Sequence, residues 1–462
     1  MRFFEVVVVL LSWVFIIALA IPENRRRGAA PLLFITILLT LLHLFVEGYR
    51  WQMLPLYALL GFGAFMKNRE AAIGSTFGLH LLWLIALLLP MLIPVVKLPT
   101  PTGPFTVGTV VYHWTDSSRA EWFTDEPGDL REILVQLWYP SEGSGTAITA
   151  PYLDNVDLRG AAIGERVGLP SFMLDHLILV KTYSSENTPP RNGSFPLIIF
   201  SHGLGGMRTQ NTVLMEELAS HGYAVAAMDH PFDANTTVFP TREDGEAPRV
   251  ADYRSAIPEG TADSVWLEIR NRQLDTRIAD VEFTLNQLQS AETPLRNKID
   301  FTRVGIAGHS FGGATAVLTA MVDDRIKAVV ALDGWFVPFA LSDSETRLDV
   351  PFLYMGQERW KAWNEKRHRH YLDLLMEQTG EDAYLLSVKK SRHYDYADIP
   401  LFSAIAPSIG LTGFPNGREM VRIVNSTTLR FFDDHVKHVP SRLFPIPDSP
   451  HITVRRGGAS SS

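Results

Sequence analysis

A chain of 462 residues without a single cysteine can hold no disulfide, no thiolate nucleophile and no zinc–cysteine site. Its net charge of −8 is unevenly spread: residues 1–96 carry seven Lys/Arg against four Glu, leaving 35 basic and 46 acidic side chains beyond them. An acidic body with no basic stripe argues against nucleic acid as a partner.

Four apolar segments open the chain: Phe3–Ile21, Ala29–Val46, Tyr49–Met66 and Ala71–Val96. A hydrocarbon core about 30 Å thick takes roughly 20 apolar residues as helix. The first and fourth segments meet that length and the second nearly does. The third is strictly apolar only from near Met53, with Tyr49 and Trp51 as an interfacial belt; its alternative is a re-entrant or surface segment. The expectation over residues 1–98 is an all-α transmembrane bundle of about four helices that anchors the chain in a lipid bilayer. Arg25, Arg26, Arg27, Lys67 and Arg69 outnumber Arg2, Arg50 and Lys97 on the other side, which puts the first and third loops in the cytoplasm. A multi-pass cell-membrane protein with an extracytoplasmic catalytic domain follows. Ala18-Leu19-Ala20 offers a rival: cleavage there would leave three spans and return the domain to the cytoplasm. Triple arginine just past that site opposes translocation and favours the uncleaved anchor. His43 and His80, inside the spans, have no obvious carboxylate partner and read as packing residues.

The Pro/Thr/Gly-rich stretch 99–105 is a linker, and 106–440 a soluble domain. Val107–Trp114 and Glu132–Tyr139 are β-rich. Then strand candidates Pro196–Phe200, Tyr223–Ala227, Arg303–Ala307, Ala328–Leu332, Pro351–Tyr354 and Tyr384–Val388 alternate with helical patterns at Asn211–His221, Ala262–Ser290, Gly313–Met321, Trp360–Thr379 and Arg418–His438. Short apolar strands between longer helices imply an α/β domain around a largely parallel, two-sided sheet. The apolar run Ser171–Val180 reads as core, or as a rim that meets lipid or lines an acyl pocket. Residues 441–462 read as a flexible tail.

Chemistry concentrates at Gly308-His309-Ser310-Phe311-Gly312. An apolar strand leads into this pentapeptide and a helix leaves it, the setting of a nucleophile elbow in an α/β-hydrolase fold. The two glycines give the room that a strained serine turn needs. A serine needs a base, and the base a third group to fix its tautomer. Asp333, closing the strand Ala328–Leu332, is the acid of choice, and Glu358, after the strand from Pro351, is its rival. His393, in the loop after Tyr384–Val388, is the base. His368 and His370, among Lys366, Arg367 and Arg369, read as a solvated face. The oxyanion donors would be the amides of Phe311 and of Leu204 in Ser201-His202-Gly203-Leu204-Gly205-Gly206. That loop lacks the Gly-Lys-Ser/Thr ending of a phosphate loop.

Phe200–Gly205, Gly308–Thr315, Leu332-Asp333-Gly334-Trp335, Val135–Pro140 and His393 with Ala397-Asp398 behind it together resemble the platelet-activating-factor acetylhydrolases of the plasma and intracellular type II kind. The resemblance runs from about Thr106 to His438. It implies Ser310, Asp333 and His393 as triad, Leu204 and Phe311 as oxyanion donors, and a calcium-independent esterase with no metal or cofactor. Its substrates would be esters or phospholipids with short or oxidised acyl chains. The N-terminal apolar block departs from the animal enzymes, so a broad carboxylesterase or polyester hydrolase stands as the alternative. A non-catalytic membrane sensor with a vestigial hydrolase fold is the third reading.

Overall fold

The computed structural model describes residues 1–19, 21, 28–66, 73–143, 147–240, 247–344, 346–358, 360, 365–414, 416–440 and 450–458. Ala20, Arg25–Arg27, Lys67 and Arg69, on which the expected orientation and cleavage turn, lie outside them. The chain divides into two compact units. The smaller joins Met1–Lys97 with Val156–Val180 and Phe402–Ile405; the larger comprises Leu98–Asn155, Lys181–Leu401 and Ala406–Ser462. The expected linear division is therefore interrupted by two stretches of the soluble part that group with the N-terminal helices.

Among the described residues the N-terminal part of the smaller unit holds four α-helices: α1 (Phe3–Leu19), α2 (Ala29–Val46), α3 (Leu54–Met66) and α4 (Ile73–Leu92). On α1 the buried residues Glu5, Val8, Val9, Ser12, Phe15, Ile16 and Leu19 recur every three or four positions and form one stripe. Its opposite face exposes Phe3, Leu10, Trp13, Val14 and Ile17, so the apolar character continues on the outside. Phe15 fills the space beside Gly63, where a Cβ would lie 2.5 Å from its ring. Among the described residues α2 is the helix long and apolar enough to cross a membrane; α1, Trp51–Met66 and Phe77–Leu92 are apolar but shorter.

A buried polar network closes one end of these helices. Arg50 donates to both oxygens of Glu5, at 2.7 and 2.6 Å, and Arg2 donates to Glu5 at 2.8 Å. His43 does have a carboxylate partner: its Nδ1 is 2.9 Å from Glu47 Oε2, and its Nε2 is 3.0 Å from the Tyr57 hydroxyl. Glu47 lies one turn further on, just past the helix end, where helical spacing returns it to the histidine. Glu5, His43 and Glu47 converge closely enough to suggest a metal. Glu5 accepts from Arg2 and Arg50, and Glu47 accepts from the Phe4 amide, so both carboxylates are also tied into an ion-pair and hydrogen-bond network. In the same unit α5 (Val156–Val167) precedes a run of 3-10 turns at Ser171–Leu179. His176 and Leu177 are buried while Phe172 and Ile178 are 46 % and 63 % exposed, so this run is neither wholly core nor wholly surface. The Trp51 indole donates to the Met173 carbonyl at 3.0 Å and meets the Phe172 ring edge-on.

The larger unit opens with β1 (Thr106–Ala120), β2 (Leu130–Ser141), β3 (Thr149–Pro151), β4 (Lys181–Glu186) and β5 (Phe195–Ser201). Then come α6 (Thr212–Ser220), β6 (Ala224–Asp229), β7 (Thr236–Val238), β8 (Val250–Asp252), α7 (Asp263–Ser290), β9 (Ile299–His309) and α8 (Phe311–Val322). It ends with β10 (Ile326–Leu332), β11 (Phe352–Gln357), α9 (Glu365–Thr379), β12 (Ala383–Val388), α10 (Gly417–His435) and β13 (Ile452–Arg456). Among the described residues eleven strands form one sheet in the order β13-β12-β11-β10-β9-β5-β6-β2-β1-β4-β3. The run from β6 to β12 is parallel throughout. β2 pairs antiparallel with both β6 and β1, and β13 with β12, while β1 pairs parallel with β4.

Alternate residues of these strands feed two cores. Leu197, Ile199, Val329 and Ala331 pack with α7, α8 and α9, and Ile198, Phe200, Val330 and Leu332 with α6 and α10. Burial on both faces explains why the strands read as unbroken apolar runs. The expected strands and helices occur within a few residues of their predicted limits; α9 begins at Glu365 within the predicted Trp360–Thr379. The expected loose tail is different: Ile452–Arg456 adds an edge strand to β12, from Val388↔Ile452 to Tyr384↔Arg456.

Candidate active site

Register brings the site together. In neighbouring strands Ser201 pairs with Gly308, His309 with Leu332, and Leu332 with Met355. The residues at or just past the end of each strand therefore lie along one edge: the loop from His202, then Ser310, Asp333 and Gln357.

Ser310 is the hinge between β9 and α8, at φ 57° and ψ −120°, a strained conformation for a residue with a Cβ. The glycines around it answer to close backbone approach. A Cβ on Gly308 would lie 2.0 Å from the Gly312 carbonyl oxygen, and one on Gly312 would lie 2.0 Å from that of Ser201. The Ser310 amide donates to the Leu332 carbonyl at 3.0 Å, and the Trp335 amide donates to the Ser310 carbonyl at 2.9 Å. The elbow is thus fastened to the turn that holds Asp333.

Asp333 is completely buried and has a positive φ of 44°. Its Oδ2 lies 2.6 Å from His393 Nδ1 and accepts from the Gln357 side chain at 2.9 Å; its Oδ1 accepts from the Gln357 amide at 3.1 Å. Burial alone would raise the pKa of this carboxyl, but the bonds from His393 and Gln357 outweigh it and hold the group below its ordinary value. His393, 32 % exposed, stands at the start of the turn after β12 and so faces solvent on one side and a buried anion on the other. Glu358, the rival acid, is exposed. At the end of β11 it is Gln357 that grips Asp333 at both oxygens.

The expected oxyanion loop packs on the serine: a Cβ on Gly203 would lie 3.1 Å from Ser310 Cβ. Gly205 donates to the Asp233 carbonyl at 2.8 Å, and Gly206 to the Gly203 carbonyl at 3.0 Å. Among the described residues no acceptor takes the amide proton of Leu204 or of Phe311. Free N–H donors are what a developing oxyanion requires.

Three side chains escaped sequence reasoning. His309 Nε2 donates to the His393 carbonyl at 3.0 Å, while its Nδ1 accepts from Gln210 at 2.9 Å. Burial, with the nearby His393, lowers its pKa to about 3, which keeps it neutral. Gln357 could have been suspected only from its place at a strand end. His368 is buried rather than solvated: it stacks on Trp360 at 4.4 Å and accepts the Phe336 amide at Nδ1. The cause is helical spacing, because His368, Tyr371, Leu372, Leu375 and Met376 form the inner stripe of α9, whereas His370 is exposed beside Asp343. Asp398 is buried and accepts the Val213 amide at the start of α6, at 3.2 Å.

The chain is similar to several known proteins. The chain is 27 % identical over 363 residues to a platelet-activating factor acetylhydrolase of Cavia porcellus, covering 73 % of this chain and 78 % of that one. It is 26 % identical to a probable 1-alkyl-2-acetylglycerophosphocholine esterase of Arthroderma benhamiae, covering 66 % and 76 %. Among solved structures, a ferulic acid esterase from Streptomyces cinnamoneus superposes with a TM-score of 0.65 at 27 % identity, over 79 % of this chain and all of that one. The family described as platelet-activating factor acetylhydrolase, isoform II, matches residues 92–440, most of the chain. The chain belongs to that family and is an ester hydrolase.

Proposed function

We propose that this protein is a membrane-anchored serine esterase that cleaves phospholipid-like esters with short or oxidised acyl chains through Ser310, His393 and Asp333. The observation that carries the reading is the 2.6 Å contact between buried Asp333 and His393, on the same sheet edge as a serine at positive φ. Asp333 would hold the proton on His393 Nδ1, leaving Nε2 free as base. Ser310 Oγ would attack the ester carbonyl carbon as His393 takes its proton. The charge that develops on the carbonyl oxygen would be met by the amides of Leu204 and Phe311. Collapse would release the alcohol, protonated by His393, and leave an acyl-serine. Water, deprotonated by the same histidine, would then free the acid and restore Ser310.

Anchoring would come from the N-terminal helices, whose outer faces carry exposed Phe34, Leu38, Leu41 and Phe45 on α2 and Phe77, Leu81 and Leu88 on α4. Multi-pass insertion with the catalytic unit outside the cytoplasm is the arrangement that the basic loop residues favour.

The likeness to a ferulic acid esterase supports a second reading, a carboxylesterase of broader specificity that could extend to polyesters. One experiment serves both. The purified full chain is assayed on esters of graded acyl length, with and without a phosphocholine headgroup, alongside Ser310→Ala. A preference for short acyl chains that needs the headgroup supports the first reading, and indifference to the headgroup supports the second. Fluorophosphonate labelling or turnover that survives in Ser310→Ala would remove the serine from both.

A further inference from the structure

A second polar constellation lies under the loop that follows β5. Ser201 Oγ is 3.0 Å from His230 Nε2, and His230 Nδ1 is 2.8 Å from Asp280 Oδ2. All three residues are fully buried, so this group has the connectivity of a catalytic triad without access to an ester. One turn before Asp280 on α7, buried Arg277 donates from Nη1 to the His202 carbonyl at 2.6 Å and from Nε to Asp233 Oδ2 at 2.7 Å. Its guanidinium carbon stands 4.9 Å from the centre of the Phe311 ring. The backbone of Asp233 in turn accepts the Gly205 amide at 2.8 Å. One cation therefore touches the chain directly before Leu204, reaches Gly205 after it through Asp233, and meets the side chain of Phe311.

We infer that Arg277 is a positioning residue that pre-aligns the two amides of the oxyanion site. The inference rests on the serine-esterase reading above. The Leu204 N–H shares a planar trans peptide with the Gly203 carbonyl, so fixing that oxygen fixes the direction of the N–H. The Gly203 oxygen accepts from His202 Nδ1–H at 2.6 Å and from the Gly206 amide at 3.0 Å. His202 can serve as that donor only in one tautomer, and the His230 amide, donating to His202 Nε2 at 3.1 Å, selects it. Arg277 holds the backbone of the same His202, and its ionic bond to Asp233 secures the return of the loop. Removing the guanidinium frees the His202 carbonyl to rotate and takes the cation from the Phe311 ring. Neither change touches Ser310, His393 or Asp333.

Arg277→Lys keeps a buried positive charge but cannot bond the His202 carbonyl and Asp233 through one planar fork. Arg277→Met with Asp233→Asn removes both charges of the pair, so no unpaired ion is left buried. Both variants are made in the full chain and compared on a soluble short-chain ester and on two inhibitors. One is a trifluoromethyl ketone that adds to the serine and forms an oxyanion; the other is an unreactive ether analogue of the substrate. We expect kcat to fall about a hundredfold in the double variant, the scale of one lost oxyanion donor, and at least about tenfold in the lysine variant. KM and affinity for the ether should stay within about threefold, and affinity for the trifluoromethyl ketone should fall by the same factor as kcat. A lower unfolding temperature with kcat and ketone affinity both within about threefold of the parent would overturn the inference, and the lysine variant decides it if the double variant does not fold. Failure of the underlying reading looks different: Ser310→Ala would keep turnover whatever Arg277 does.

Discussion

Replacing Asp333 by asparagine tests the proposed acid with almost no change in shape. The carboxylate receives four donors: the Gln357 amide at 3.1 Å and the Tyr354 hydroxyl at 3.5 Å on Oδ1, and the Gln357 side chain at 2.9 Å and His393 Nδ1 at 2.6 Å on Oδ2. An asparagine has one oxygen to offer. Turned toward the Gln357 amide, it presents NH2 to His393, which must then carry its proton on Nε2 and could not serve as the proposed base for Ser310. Turned toward His393, it sets NH2 against the Gln357 N–H, leaving two buried donors face to face. Either way the imidazolium formed during acylation loses its buried counter-charge. The expected loss in kcat is about 10⁴-fold, equivalent to roughly 5 kcal/mol of transition-state stabilisation. Steady-state hydrolysis of a soluble short-chain ester, the rate of fluorophosphonate labelling and a thermal melt, measured on the same preparation, separate catalysis from folding. Glu358→Gln, at an exposed position, should stay within about twofold. A folded Asp333→Asn variant that loses less than tenfold, or a larger loss at Glu358, would refute the assignment.

Three further perturbations follow from the same structure. Burial raises the pKa of Glu216 from its ordinary 4.5 to about 7, against the bonds it accepts from Ser184 and the Tyr183 amide. Between those values the folded chain binds the extra proton, so stability falls as pH rises from about 4.5 to 7, by about 3 kcal/mol in all, and then levels off. Glu216→Gln removes that slope; unfolding midpoints of the two proteins should diverge in the variant's favour between pH 5 and 8, and parallel curves would contradict the shift. Gly312→Ala forces a Cβ to 2.0 Å from the Ser201 carbonyl and should abolish activity or folding, whereas Gly78→Ala, with nothing within 4 Å, should leave ester hydrolysis unchanged. Reporter fusions after Gly103 should be active only in their exported form, and neutral residues at Arg25–Arg27 should erode that orientation; a catalytic unit protected from protease in intact spheroplasts would reject it.

What the sequence determined by itself is what short-range chemistry controls. Ser310 was legible because an elbow is a local object: strand, two glycines and helix all lie within a few residues. The parallel strands were legible because burial on both faces demands unbroken apolar runs, as in Phe195–Ser201 and Ala224–Asp229. Asp333 and His393, 60 positions apart, were candidates from their places after strands and were joined only through the family resemblance, since their contact depends on the strand register that aligns the ends of β9, β10 and β11. The partners that steady them were invisible for the same reason. Gln357, His309, Arg277 and the buried face of His368 act through contacts between distant segments, and a polar residue in a sequence does not announce whether a strand end or a helix stripe will bury it. In the N-terminal helices, too, Glu5 and Arg50 read as ordinary charges at segment ends. Tertiary structure made them a fully buried ion pair because a charge can leave water only where another, 45 positions away, is brought within hydrogen-bonding reach.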